Sequence, residues 1–377
     1  MVEPLTVGVP REVKDGEHRV AATPDGVHEL VAHDVPVVVG AGAGANSRIA
    51  DDEYRAAGAE VVTASEVWER AGLVLKVKEP RDEEFALLRP GLVLFTYLHL
   101  AAYPAVAAAL LERKVTGVAY ETVQTPDRAL PLLAPMSEVA GRMAPQVGAH
   151  FLEREHGGRG VLLGGAPGVR PARVVVIGAG NVGGNAAWIS AGMEAEVLLL
   201  DKNLDRLRLV DQIHKGRIMT LASNRNAVAR AVADADLVIG AVLVAGGRAP
   251  VVVTEDMVRN MKHGALIVDI AVDQGGCVET THETTHAEPV YERHGVLHYA
   301  VGNMPGAVPA TSTYALTNAT LPYAVALATA GVEDAVAEDL ELAGGVNTAG
   351  GTVTNSAVAD ALGQAVTPLT DALHNFA

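Results

Sequence analysis

Short apolar runs alternate with helix-patterned segments along almost the whole chain. In the first third the runs cover 5–9, 35–40, 73–77, 92–98 and 115–119. Each is nearly continuous rather than alternating, as expected of parallel strands covered on both faces. The segments between them carry helical patterning. Thr23 followed by Pro24 predicts a helix over 24–33, because a threonine hydroxyl caps free N–H groups and proline suits the first helical position. Strand–helix alternation of this kind predicts an α/β fold with parallel sheets.

Two breaks divide the pattern. Residues 121–136 contain Pro126, Pro131 and Pro135 and a turn-like Pro126-Asp127, which marks a crossing between units. A helix is expected from Ser137 to about Glu155, then a glycine-rich stretch over 157–168 and a strand from Arg173. The alternation continues to about Val301. Asn303-Met304-Pro305-Gly306 is the second break, and 311–330 reads as a helix kinked at Pro322. A chain of 377 residues suits two domains. Chain ends commonly pack together, so the middle, 133–305, is expected to be inserted within a domain made of 1–132 and 306–377.

The strongest local signature is the run from Arg173 to Trp188, a buried strand, a glycine turn and a helix start. Gly178 permits the tight turn, Gly180 lets the backbone approach a pyrophosphate, and Gly183 allows close helix–strand packing. The helix N-terminus offers unpaired N–H groups to phosphates. A second strand over 197–200 ends in Asp201, where a carboxylate accepts hydrogen bonds from the adenosine ribose and repels a 2′-phosphate. Residues 173–201 therefore read as a dinucleotide site preferring NAD over NADP, a preference that Lys202 and Arg206 soften. Later strands are expected over 235–243 and 266–273. Val242, Leu243 and Asp273, just past them, are expected to face the nicotinamide half.

Composition narrows the partners. Aromatic residues are only 4%, so the cores are built from Ala, Val and Leu. The net charge of −16, with no long basic run, argues against nucleic acid and anionic membrane surfaces. Residues 295–332 lack Asp, Glu, Lys and Arg, but Pro305, Pro309, Pro322 and many polar residues interrupt them, so no membrane span is expected. Cys277 is the single cysteine, which excludes an intramolecular disulfide. The N-terminal residues carry no basic segment followed by an apolar one, and a soluble cytoplasmic protein is the expectation. No His/Cys/Asp cluster stands at zinc spacing. His282 and His286 are four apart, but the threonines around them favour a loop, and no metal is expected.

Hydride transfer requires a group that exchanges protons with the reacting centre, cations for a substrate carboxylate, and a dry pocket. His99 ends the run 92–98 and has the side chain whose ordinary pKa suits proton exchange near neutrality. Lys76 and Lys78 alternate on 73–79, so both are expected on one face of an apolar strand, with Lys78 nearer the site. Arg19, before the 24–33 helix, can clamp a carboxylate through two parallel hydrogen bonds. Asp273 opens a glycine-rich loop. On residue type alone, His99 reads as a structural histidine, Arg19 as a surface loop arginine, and Asp273 equally as a turn cap.

Ordered blocks change that weighting. Glu17-His-Arg19-Val-Ala, Leu75-Lys-Val-Lys78-Glu-Pro80, Phe95-Thr-Tyr-Leu-His99-Leu, Ala119-Tyr-Glu-Thr-Val-Gln124, Leu132-Leu-Ala-Pro-Met-Ser137, Asp269-Ile-Ala-Val-Asp273 and Val301-Gly-Asn303-Met-Pro305 occur in one order, over essentially the whole length. In these blocks the chain resembles the alanine dehydrogenase family. The resemblance implies two Rossmann-like domains and reversible, NAD-dependent deamination of L-alanine to pyruvate and ammonium. It implies that Arg19 and Lys78 bind substrate, His99 is the acid/base, and Asp273 assists water and ammonia. It places Ser137, Asn181, Val182, Asp201, Arg206, Ser223, Val242, Leu243, Ile270 and Asn303 around the cofactor, and implies a cytoplasmic homohexamer. Ala310 and Gly302 depart from the family pattern near the second break. The rival readings are a transhydrogenase NAD-binding subunit and a non-catalytic NAD sensor. The first carries an Arg- and Gln-bearing loop where this chain has 134–138, and the second has no use for His99, Lys78, Arg19 and Asp273 together.

Overall fold

The computed structural model describes residues 3–242 and 249–374. In them the apolar runs become strands, each shorter than its run. β1 (Val7–Val9), β2 (Val37–Gly40), β3 (Glu60–Val62), β4 (Leu73–Leu75), β5 (Val93–Thr96) and β6 (Thr116–Ala119) come first. β7 (Arg173–Ile177), β8 (Glu196–Asp201), β9 (Ile218–Ala222), β10 (Leu237–Gly240), β11 (Leu266–Asp269), β12 (Val290–Arg293) and β13 (Val296–Tyr299) follow, and β14 (Val346–Ala349) and β15 (Thr352–Val353) close the chain.

Among the described residues these strands form two sheets, in the orders β15-β14-β6-β5-β4-β1-β2-β3 and β12-β13-β11-β10-β7-β8-β9. Both are parallel except at one edge, where β14 and β15, and in the other sheet β12, run antiparallel to their neighbours. The expected α/β class with two Rossmann-like sheets is therefore what the chain forms. Two compact units contain them, residues 1–136 with 308–377, and residues 137–307.

In the first unit the helix Pro24–Ala32 starts as its sequence predicts: Thr23 Oγ1 accepts the Gly26 N–H at 3.2 Å and Pro24 opens the first turn. The strand in the run 73–77 ends at Leu75, although Lys76 N–H still donates to the Phe95 carbonyl at 3.1 Å, so Lys76 and Lys78 lie beyond the strand rather than on its face. Lys76 is fully buried in an ion cluster, whereas Lys78 is half-buried.

The last long helix, Pro309–Glu338, begins before and ends after the expected 311–330. It continues through Pro322, and its backbone leaves helical geometry at Gly331 instead, at φ 76° and ψ 171°. By length and composition it is the one helix among the described residues that is long and apolar enough to cross a membrane. The packing explains its apolar residues in another way. Leu316, Ala324, Leu327 and Ala328 are buried in the unit's interior. Val20 N–H donates to Thr313 Oγ1 at 3.1 Å, and Leu5 N–H to the Ala328 carbonyl at 2.8 Å.

In the second unit, β7, β10 and β11 are wholly apolar at their centres, and Val175, Ile177, Val238, Ile267 and Val258 form one core. The helix Ala134–Phe151 starts three residues before Ser137 and ends four before Glu155. It packs so tightly on the 181–192 helix that a Cβ at Gly141 would stand 2.3 Å from the Val182 carbonyl oxygen.

Candidate active site

Ligands of open parallel sheets sit beyond the carboxyl ends of the strands. In the first unit the segments leaving β1, β4, β5 and β6 carry Arg19, Lys78, His99 and Glu121. Arg19 is 2% exposed and is not the surface loop arginine that its residue type suggests. Its Nε donates to Glu17 Oε1 at 2.7 Å and its Nη2 to Glu17 Oε2 at 2.5 Å, a planar two-point pair. Burial pushes the Glu17 carboxyl up, but the charge and hydrogen bonds of Arg19, with Lys78 beyond, outweigh that and hold it at about 2. The pair is therefore ionised throughout the neutral range.

Lys78 Nζ lies 6.0 Å from the centre of the Tyr97 ring, within reach of its negative face. Burial lowers the proton affinity of Lys78, and the cations Arg19 and Lys14 lower it further. Lys78 thus stands over an aromatic floor with a second cation repelling it, an arrangement that favours an anion such as a carboxylate. Tyr97 forms that floor. Its hydroxyl donates to the Leu132 carbonyl at 2.6 Å, and its ring packs edge-on against Tyr120 at 5.0 Å.

His99 flanks the same ring at 5.7 Å between centroids. Its backbone sits at φ 47°, and its Nδ1 is buried without a hydrogen-bond partner among the described residues, 4.0 Å from Glu121 Oε1. An imidazole so placed keeps a ring nitrogen available for proton exchange.

A buried ion cluster braces this floor. Lys76 Nζ is 2.8 Å from Glu84 Oε1 and 3.2 Å from Glu12 Oε2, and Glu12 Oε1 accepts the Val77 N–H at 2.6 Å. Nearby, Lys14 Nζ pairs with Glu79 at 2.6 Å. Sequence reasoning missed Glu12, Glu17, Tyr97 and Glu121. The available signal was a carboxylate two residues from Arg19 and another just past the apolar run 115–119.

In the second unit the glycine turn has the geometry a dinucleotide needs. Gly178 adopts φ 105°, and a Cβ there would stand 2.4 Å from the Ala241 carbonyl oxygen. A Cβ at Gly183 would stand 1.7 Å from the Gly178 carbonyl oxygen, so helix and strand touch backbone to backbone. Gly180 differs: its nearest neighbour would be Arg206 Nη1 at 3.8 Å. The space over Gly180, at the N-terminus of the Asn181–Gly192 helix, is a cradle that suits a pyrophosphate.

Asp201 ends β8 and is held there. Its Oδ2 accepts the Ala179 N–H at 2.6 Å, its Oδ1 the Asn203 N–H at 2.7 Å, and Arg206 Nη1 stands 4.0 Å away. Ser223 N–H donates to the Asp201 carbonyl at 2.8 Å, which brings Gly178, Asp201, Arg206 and Ser223 together. Asn181 is exposed and Val182 buried in the first helical turn, while Val242, Ile270, Asn303 and Ser137 are half-buried. Ile270 N–H donates to the Gly240 carbonyl at 3.0 Å. Leu243 lies outside the described residues.

Asp273 is exposed on a short 3-10 turn, Val272–Gln274. Its loop is shaped by Asp269, which the sequence places inside an expected strand over 266–273 but which in the fold ends β11 at Leu266–Asp269. Asp269 accepts from the backbone N–H groups of Ala271 at 3.2 Å, Cys277 at 3.0 Å and Val278 at 3.1 Å, and from the Thr281 hydroxyl at 2.7 Å. Cys277 is buried beneath that loop, where its thiol donates to Asp269 Oδ1 at 3.4 Å and burial pushes its pKa far up. His282 stacks on Tyr291 at 4.0 Å, while His286 Nε2 is 3.4 Å from the Asn303 carbonyl.

Comparison with known proteins agrees over nearly the full length. Residues 8–140 match the model of the alanine dehydrogenase/PNT N-terminal domain, and 144–356 that of the C-terminal domain. The chain is 53% identical to the alanine dehydrogenase of Methanococcus maripaludis, covering 98% of this chain and 100% of the relative. It is 54% identical to that of Bacillus subtilis, covering 98% of each. Among solved structures, an L-alanine dehydrogenase superposes with TM-score 0.93 at 48% identity, over 95% of this chain and 99% of the other. A transhydrogenase from Sinorhizobium meliloti follows at TM-score 0.81 and 27% identity, over 93% and 99%. By both domains and over nearly its whole length, the chain belongs to the alanine dehydrogenase/PNT family.

Proposed function

We propose that this chain is an NAD-dependent L-alanine dehydrogenase, catalysing the reversible oxidative deamination of L-alanine to pyruvate and ammonium. The observation that carries the reading is identity above half to alanine dehydrogenases over 98% of the chain. Residues 137–307 are read as the NAD domain, and residues 1–136 with 308–377 as the substrate domain.

NAD, when bound, supplies a hydride acceptor for the substrate Cα–H bond. Gly178, Gly180, Asn181, Val182, Gly183, Asp201, Arg206 and Ser223 are read as cofactor residues, together with Ser137, Val242, Ile270 and Asn303, with Val242 at the nicotinamide half. The carboxylate of Asp201 favours NAD over NADP. Arg19 and Lys78 hold the substrate carboxylate and carbonyl oxygen. His99 takes a proton from the attacking water as the imine becomes a carbinolamine, and returns one as ammonia leaves. Asp273 orients that water and ammonia.

The reading extends to a soluble, cytoplasmic homohexamer. Support for assembly comes from exposed apolar side chains of the NAD domain. Leu209 and Ile213, one turn apart on a helix, and Met219 and Leu221, on one face of the edge strand β9, are exposed, and apolar residues so placed suit an interface between copies.

The decisive assay is alanine-dependent NADH formation by the purified chain, with glycine and serine alongside. Turnover with alanine is expected. No rate with any of the three amino acids removes this reading.

A further inference from the structure

A second cluster of chemically capable side chains lies in the 137–307 unit and belongs to none of the roles above. His150 stands in the last turn of the helix Ala134–Phe151, and Glu153 and His156 follow in the 3-10 turn Arg154–His156 and its cap. The spacing is His-x-x-Glu-x-x-His. Turns of three residues place side chains i and i+3 one above another, and the backbone here is made of such turns. Glu153 N–H donates to the His150 carbonyl and His156 N–H to the Glu153 carbonyl, both at 3.2 Å. Gly158 and Gly160 then close the segment, donating to the Glu153 carbonyl at 3.0 Å and the Leu152 carbonyl at 2.8 Å.

The three side chains consequently converge. The imidazole centroids of His150 and His156 are 3.8 Å apart with the rings tilted by 39°. His156 Nε2 is 3.6 Å from Glu153 Oε2. One ligand atom from each residue lies within 4.8 Å of the others, and all three residues are exposed. Ligands on a tetrahedral ion with bonds of about 2.0–2.2 Å are separated by roughly 3.4 Å. Side-chain torsions supply that contraction, because the backbone is already fixed and all three residues are exposed.

We propose that His150, Glu153 and His156 form a binding site for one divalent transition metal ion of the zinc type per chain. Two imidazoles and a carboxylate are the donors of borderline ions such as zinc, cobalt, nickel and copper, rather than of calcium or magnesium. Three protein ligands leave at least one coordination position to water. The C-terminal end of the Ala134–Phe151 helix, with its partial negative charge, favours a cation at this place. Zinc spacing sought as two histidines on one helical turn overlooks this cluster, since its ligands straddle a helix end and the turn that follows. The bound ion ties those two elements together and thereby stabilises the fold by mass action.

The test uses the untagged full chain and Co²⁺, whose visible d–d bands report nitrogen and oxygen ligation. A band saturating at one equivalent per chain and abolished by added Zn²⁺ is expected, with a rise in Tm on Zn²⁺ addition. His150→Asn and His156→Asn are each expected to weaken the ion by at least ~10-fold, and His282→Asn to leave it unchanged. NADH binding verifies that each variant is folded, and exposed positions tolerate such changes. Absence of a saturable band, equal affinity in His156→Asn, or equal loss in His282→Asn overturns the site.

Discussion

Glu121 holds the backbone of His99 in place. Its Oε1 accepts the His99 N–H at 2.5 Å, and its Oε2 accepts the Leu98 N–H at 3.2 Å. His99 is thereby kept at φ 47°, a left-handed conformation that costs a non-glycine residue on the order of 1–2 kcal/mol. The two bonds offset that cost and aim the imidazole alongside Tyr97.

The pair predicts a graded effect on turnover. His99→Ala removes the proton-exchanging group, and kcat with alanine is expected to fall by at least ~10²-fold. Glu121→Ala leaves the imidazole but frees its backbone, and misplacement of a catalytic group costs up to ~10²-fold. NADH affinity, measured by fluorescence titration, is expected to stay near wild type in both. Near-normal turnover in His99→Ala sinks the acid/base assignment.

Glu17 and Arg19 link stability to acid. The Glu17 carboxyl has a folded pKa of about 2, against roughly 4.3 when unfolded. Its stabilising contribution is complete above the unfolded value and disappears as pH falls through the folded one. Glu17→Gln leaves Arg19 without that buried carboxylate, a change that costs on the order of 3–5 kcal/mol at neutral pH. Denaturant melts at stepped pH are expected to show wild type and Glu17→Gln converging between about pH 4 and pH 2. A constant gap across that window contradicts the ion-pair account.

At neutral pH Lys78 carries a penalty where Glu17 carries a gain, although for both stability rises with pH. Burial and the neighbouring cations Arg19 and Lys14 depress the folded pKa of Lys78 below the unfolded value of roughly 10.4. Between those two values the unfolded chain binds more protons, so stability rises with pH. Below the folded value the penalty of holding the charged amine is complete. Lys78→Met is therefore expected to melt no lower than wild type near neutrality, with the difference narrowing at alkaline pH, while kcat/KM for alanine collapses. A Lys78→Met protein that loses stability at neutral pH and retains alanine turnover contradicts both parts.

What was legible in the sequence was local. The strand runs, the Thr23 cap and the glycine turn ending in Asp201 depend on neighbours within a few residues, and they stand in the fold. What escaped depends on distant pairing. Lys76 finds Glu12 across 64 positions of chain, and the reach of each strand is set by its ladder partner, so the strand in the apolar run 73–77 ends at Leu75. Arg19 reads as a surface residue until the Pro309–Glu338 helix, nearly 300 residues on, closes over its neighbour Val20 through Thr313. The helix end at Phe151 likewise follows from a turn locked by Gly158 and Gly160, which a periodicity cannot express.

Glycines with similar apparent crowding are expected to answer substitution differently. A Cβ at Gly183 would stand 1.7 Å from the Gly178 carbonyl oxygen, and a Cβ at Gly302 would stand 1.9 Å from Glu283 Oε1. The first obstacle is backbone, fixed by the β7 ladder and the turn beneath the helix, and relief requires the helix to lift from the sheet. The second is the tip of an exposed, flexible side chain, which swings away through its own torsions. Gly180 meets nothing closer than 3.8 Å, so Gly180→Ala folds normally but fills the pyrophosphate cradle. Gly183→Ala is accordingly expected to lose several kcal/mol, as overpacked interiors do at ~1–3 kcal/mol or more, and NADH binding with it. Gly302→Ala is expected to remain within ~0.5 kcal/mol of wild type, as surface changes usually do. Gly180→Ala is expected to keep its Tm and bind NADH at least ~10-fold more weakly, the loss of about 1.4 kcal/mol of phosphate contact. Thermal melts and NADH titrations of the three proteins separate these outcomes, and a Gly180→Ala protein with unchanged NADH affinity removes the cradle from the cofactor site.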